Sequence, residues 1–174
     1  MKKLCASLLV VVFLFEATPL FAVDGKGAAY FGGTVAAFVG AKDPLEGLID
    51  VTKPDRLVFT VTKGNQFKGQ SFAIPFKQIF DMEYGQKAGR RLGATAATTV
   101  LLGPIGLLGL FSKKRKHFLT IGFKDDANVD QVAVIELGKD IVRTTIPIIE
   151  TRSGKKAVAQ DEEAQKSKAK PTKP

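Results

Sequence analysis

The stretch from Leu92 to Phe111, LGATAATTVLLGPIGLLGLF, constrains the fold of this chain more than any other. It carries no charge and is mostly apolar. Arg90 and Arg91 stand before it, and Lys113, Lys114, Arg115 and Lys116 follow it. No acidic residue occurs between Glu83 and Asp125. An apolar segment this long is not stable bare in water. It has to enter a membrane, a partner, or the interior of its own protein.

What lies on either side of it reads as β-structure. Arg56 to Thr62 alternates, with Leu57, Phe59 and Val61 facing one way. That period of two marks a half-buried strand. Phe72, Ile74 and Phe76 repeat it until Pro75, which lacks a backbone donor and places this strand at an end or an edge. Ile79 to Tyr84 resumes, with Phe80, Met82 and Tyr84 on one side. Beyond the insert, His117 to Lys124 puts Leu119, Ile121 and Phe123 on one face, and Gln131 to Leu137 follows a turn at Asp125 to Asn128. Earlier in the chain, Ala28 to Val39 reads as a strand softened by Gly32 and Gly33, glycines of the kind that mark a bulge or a close backbone approach. Leu45 to Val51 makes another strand, bounded by turns at Lys42 to Pro44 and Thr52 to Asp55.

Ile141, Val142, Thr145, Ile146 and Ile149 fall on one helical face, and Gly154 is a suitable stop. Pro147 conflicts with that helix at a cost of ~3 kcal/mol. The reading is a kinked helix, with a strand as the alternative its β-branched content permits. Seven strands followed by one helix predict a mainly β (α+β) fold, a seven-stranded sandwich or barrel capped by a C-terminal helix. The hydrophobic hairpin is then inserted between the fifth and sixth strands.

Two stretches carry a family likeness. FAIPFKQIFDMEYG (Phe72 to Gly85) resembles a strand-turn-strand stretch of the pleckstrin-homology-like superfamily, which includes GRAM and bacterial PH-type domains. ELGKDIVRTTIPIIETRSG (Glu136 to Gly154) resembles its final strand and helix. The likeness runs from about Ala28 to Gly154. The chain is also similar to exported bacterial proteins whose greasy insert ends in a KKRKHF-type stretch. The resemblance implies a PH-like fold and a binding role, toward lipid headgroups or peptides. No headgroup residues carry over, because Lys42 is the only basic residue between Val39 and Val51.

If the flanking strands share a sheet, both ends of the insert lie on one side of any membrane. Gly103-Pro104, near the middle, can reverse the chain. Each arm then spans ~15 Å of helix, half a bilayer core of ~30 Å. The expectation is a hairpin dipping into one leaflet of anionic lipid. Its lipid-contact residues would be Leu101, Leu102, Ile105, Leu107, Leu108, Leu110 and Phe111. The basic residues Arg90, Arg91, Lys113, Lys114, Arg115 and Lys116 would sit at headgroup level. Gly85, Gly89 and Gly93 recur every four residues and would form a smooth helical stripe for close packing. An oligomer or protein contact through that stripe is the first alternative. A loop covered by the domain itself is the second.

The ends of the chain support an exported location. MKKLCASLLVVVFLFEATPLFA has the basic start, apolar centre and polar end of a signal peptide, so 1–22 is expected to be removed and 23–154 to be the domain. An uncleaved anchor helix is the alternative. After removal no cysteine remains, which excludes disulfides and thiol chemistry. Residues 155–174 read as a disordered basic tail. The net charge of +9 is concentrated, with seven basic and no acidic residues from Lys87 to Lys116 and seven basic against three acidic from Arg152 onward. Such placement favours a local surface contact in the periplasm or cell envelope over nucleic acid.

Catalytic patterns are missing. His117 is the only histidine and reads as an interfacial side chain. Asp126, Asn128 and Asp130 open like a calcium loop, but Gln131 stands where glycine is needed and Leu137 where the bidentate Glu belongs. Asp81 and Glu83 share a strand face with no nucleophile, and read as solvated or ion-paired to the basic clamps. The expectation is a non-enzymatic module with no cofactor and no metal.

Overall fold

A computed structural model describes residues 27–64, 66–85 and 117–159. Among these, eight strands form one sheet and a single α-helix follows the seventh. The strands are β1 (Ala28–Gly33), β2 (Leu45–Asp50), β3 (Arg56–Val61), β4 (Ser71–Pro75), β5 (Ile79–Gly85), β6 (His117–Lys124), β7 (Asp130–Leu137) and β8 (Val158–Ala159), with helix α1 (Val142–Ser153) between the last two. Their order across the sheet is β4-β3-β2-β1-β7-β6-β5-β8. All neighbours pair antiparallel except β5 and β8. The fold is therefore mainly β with a C-terminal helix, as the alternation and the final helical face predict.

The inner face of the sheet is one apolar cluster. Leu57, Phe59 and Val61 are buried on β3, Leu119, Ile121 and Phe123 on β6, and Ile74 on β4, which forms the edge that Pro75 suits. At its centre Phe59 packs with Phe72 at 5.6 Å, Phe38 at 6.1 Å and Tyr30 at 6.4 Å between ring centroids. Aromatic pairs of this geometry contribute ~0.5–1.5 kcal/mol each beyond their buried area. Burial of Tyr30 pushes its phenol up to about 12, so the ring stays neutral in the core.

β1 is shorter than the sequence suggests, ending at Gly33 instead of Val39. The register slips between Tyr30 and Gly32, and both glycines have positive φ, 152° and 132°. A Cβ on Gly33 would stand 2.0 Å from the Val132 carbonyl oxygen. Thr34 then bonds Val132 in both directions, its N–H donating at 2.9 Å and its hydroxyl accepting at 2.8 Å. A short 3-10 turn, Ala36–Phe38, swings Phe38 back into the core.

β5 also departs from plain alternation. Its register slips between Ile79 and Asp81, so Ile79, Met82 and Tyr84 are core residues while Phe80 turns outward. Strict alternation would place Phe80 with Met82 and Tyr84. The side-chain-free surface of Gly122 gives the Phe80 ring a seat on the outer face instead, since a Cβ there would meet the ring at 2.7 Å.

α1 covers the core with Val142, Ile146 and Ile149 and runs through Pro147. Pro147 cannot donate to the carbonyl of Arg143. Both residues are exposed, so water can satisfy that carbonyl. Gly154 closes the helix in the left-handed conformation, φ 71°, donating its N–H to Glu150. The Arg152 guanidinium lies 5.5 Å from the Phe76 ring and donates to the carbonyls of Val51 and Lys53, which ties the helix end to the β2–β3 turn.

The expected tail boundary at 155 moves. Ala157 is buried and donates its N–H to Glu150 Oε1 at 2.8 Å, and Val158–Ala159 pair with Glu83 and Tyr84 of β5. These five residues follow the helix cap back to an open sheet edge, whose backbone groups need partners that polar composition does not advertise.

Candidate functional site

The site is the root of the insert and the sheet face beside it. β5 and β6 pair directly, with Gly85 opposite Phe118 and Tyr84 opposite Leu119. Residues 86–116 therefore leave and re-enter the sheet at adjacent positions on neighbouring strands. Gly85, expected to open a helical stripe with Gly89 and Gly93, is instead the last residue of a strand. The ladder with β6 uses its backbone before any helix could begin. The other predicted contacts lie outside the described residues: Arg90, Arg91, Leu101, Leu102, Ile105, Leu107, Leu108, Leu110, Phe111, Lys113, Lys114, Arg115 and Lys116, together with Gly89 and Gly93.

A Tyr–His pair closes the root. Tyr84 Oη and His117 Nδ1 are 2.6 Å apart, and the two rings lie near-parallel, 4° between planes. Tyr84 is buried and His117 half-buried. His117 titrates below the ordinary histidine value of 6.5, because burial disfavours its charged form and Lys139 repels it, against a smaller pull from Glu136. The neutral folded ring takes up its proton only at a pH lower than the unfolded chain does. Its contribution to stability is thus fully present above pH 6.5 and is lost as pH falls through the folded value. Thermal unfolding of the native chain and of H117Q should show a gap that narrows as pH is lowered from about 7 to about 5. A gap independent of pH would exclude this titration.

The face opposite the core carries the acidic residues missed as a group in the sequence. Pairing places Glu83 beside Thr120 and Val134, Asp81 beside Gly122 and Val132, and Gly85 beside Phe118 and Glu136. Three carboxylates, Asp81, Glu83 and Glu136, thus share one side of the sheet. Asp81 accepts the Met82 N–H at 2.8 Å. Of the two alternatives for this pair, solvation or an ion pair with the basic clamps, solvation fails at Glu83, which is 2% exposed. Cross-strand register, which no single strand reveals, brings Glu136 to the pair.

The Asp125 to Asn128 turn is held by Asp125, whose carboxylate accepts N–H groups of Val129 at 2.9 Å and Ala127 at 3.0 Å and the Gln131 amide at 2.8 Å. The Val129 N–H above all holds that carboxyl below its usual range. Asn128 takes the left-handed conformation, and Asp130 pairs with Lys124 at 2.7 Å. Among the described residues no cluster of three or more His, Cys, Asp or Glu could hold a metal ion, and no helix is long and apolar enough to cross a membrane.

Comparison with known protein families, with curated proteins and with solved structures finds no match to this chain.

Proposed function

We propose that this protein is an exported, non-enzymatic binding module of PH-like architecture, held at an anionic membrane surface by the insert between β5 and β6. The observation that carries the reading is the Gly85–Phe118 pairing. It makes the insert a loop of one hairpin, so the basic residues on both flanks belong to one end of the domain and can meet one lipid surface together. The PH-like assignment is supported by the strand order, in which β1 bridges β2 and β7, and by a helix that packs on the core after the seventh strand. Each Lys or Arg near anionic lipid contributes about 1 kcal/mol. The seven from Lys87 to Lys116 therefore outweigh the three carboxylates beside the root.

Flotation with vesicles containing phosphatidylserine tests the reading. The chain from residue 23 should float, and the same chain with 86–116 replaced by a four-residue Gly-Asn turn should remain with the soluble fraction. Raised salt should weaken the flotation. Equal flotation of both forms would reject it.

A further inference from the structure

β2 and β3 alternate between buried and exposed residues, as strands do when one face meets water. β6 and β7 do not. All six central residues of β6, Phe118 to Phe123, are buried, and so are Val132 to Ile135 on β7. On the outer face Phe31 and Phe118 meet edge-to-face at 4.9 Å and join Val132 and Val134 in a second apolar cluster, separate from the core. Thr120, in the same face, is 1% exposed. The described helix packs on the inner core and on the Phe76–Gln78 turn, not on this side. Phe80 covers Gly122 at one corner.

We propose that this outer face is the docking site for the first arm of the insert of the same chain, 86–100. Three observations select that occupant. The chain leaves β5 at Gly85, which pairs with Phe118 of the cluster, so the arm begins beside it. Its fifteen residues span ~22 Å as helix, enough to cross β6, β7 and β1 at ~4.8 Å per strand. Its composition fits the surface. Gly89, Gly93, Ala94, Ala96 and Ala97 permit close approach, and Lys87, Arg90 and Arg91 complement Asp81, Glu83 and Glu136. The segment 1–22 is a poorer occupant, with its only basic residues, Lys2 and Lys3, at the far end from β1. Docking of the first arm assigns Lys87, Arg90 and Arg91 to the sheet and narrows the lipid contact to the larger side chains of Leu101 to Phe111 and the second basic flank, Lys113 to Lys116. It goes beyond the lipid reading without resting on it.

The chain from residue 23 has no cysteine, so a single T120C reports directly on this face. Under native conditions without lipid, its alkylation should be at least about 100-fold slower than that of T62C, at an exposed position. Replacing 86–116 by the four-residue turn should bring the T120C rate close to that of T62C. A folded, insert-free chain that still protects T120C would overturn the proposal. Should that variant not fold, the intact chain carrying A96C and E46C, the latter an exposed position in the same outer-face row as Phe118, Glu136 and Ala29, decides the matter with a short bis-maleimide. A crosslink within one polypeptide is expected. Its absence, or a link between two polypeptides, would overturn the proposal. Neither measurement contains lipid, so failure here and failure of flotation are distinguishable.

Discussion

Replacing Gly33 by alanine should destabilise the domain by about 3–5 kcal/mol, a large share of the ~5–15 kcal/mol that typically holds a domain together. Two effects add. At φ 132° a side chain forces the backbone into a conformation L residues avoid, at ~1–3 kcal/mol. The new Cβ would also stand 2.0 Å from the Val132 oxygen, and a backbone atom in a sheet cannot move aside as a flexible side chain can. Either β1 or β7 must shift, and with it the join between the two halves of the sheet. Gly40 provides the control. Its φ is 87°, yet a Cβ there meets nothing within 4 Å. G40A should cost only the conformational part, ~1–2 kcal/mol. Urea unfolding of both variants measures the difference, and equal losses would show that close approach at Gly33 does not matter.

The second large effect lies at the centre of the core. F59A removes a ring that is fully buried and touches Phe72, Phe38 and Tyr30. The loss of transfer energy plus the cavity left behind should total about 3–5 kcal/mol. Leu48 lies on the opposite face of the adjacent strand and is 48% exposed. L48A should change stability by less than about 1 kcal/mol. Guanidinium unfolding checks the pair. Comparable losses at the two positions would mean that the inner face is not the principal core.

Much of this architecture was legible because period-two alternation reports which face of a strand meets the core. β3, β6 and β7 fall where that period predicts, and Gly154 stops the helix that the Ile141 to Ile149 face implies. Alternation fails where a neighbouring strand decides. The β5 slip depends on Gly122 of β6, and the early end of β1 depends on Val132 of β7, far away in sequence. β8 was invisible because two residues in a polar context carry no period, and the open β5 edge selects them. The helix formed despite Pro147 because the proline's exposed side costs one solvated carbonyl while the other side buries four apolar or small residues, Val142, Thr145, Ile146 and Ile149.

The candidate site divides in the same way. The uncharged run, its basic flanks and its position between two strands are properties of local sequence, read directly from residue types. That its ends emerge side by side, that Tyr84 meets His117, and that Glu136 joins Asp81 and Glu83 on one face are properties of strand pairing. By itself the sequence determined that something must cover a long apolar segment, because exposed hydrocarbon is unfavourable in any fold. Only the tertiary structure decided that the sheet beside it holds a second buried apolar face, because cross-strand register, not composition, sets which side chains stand together.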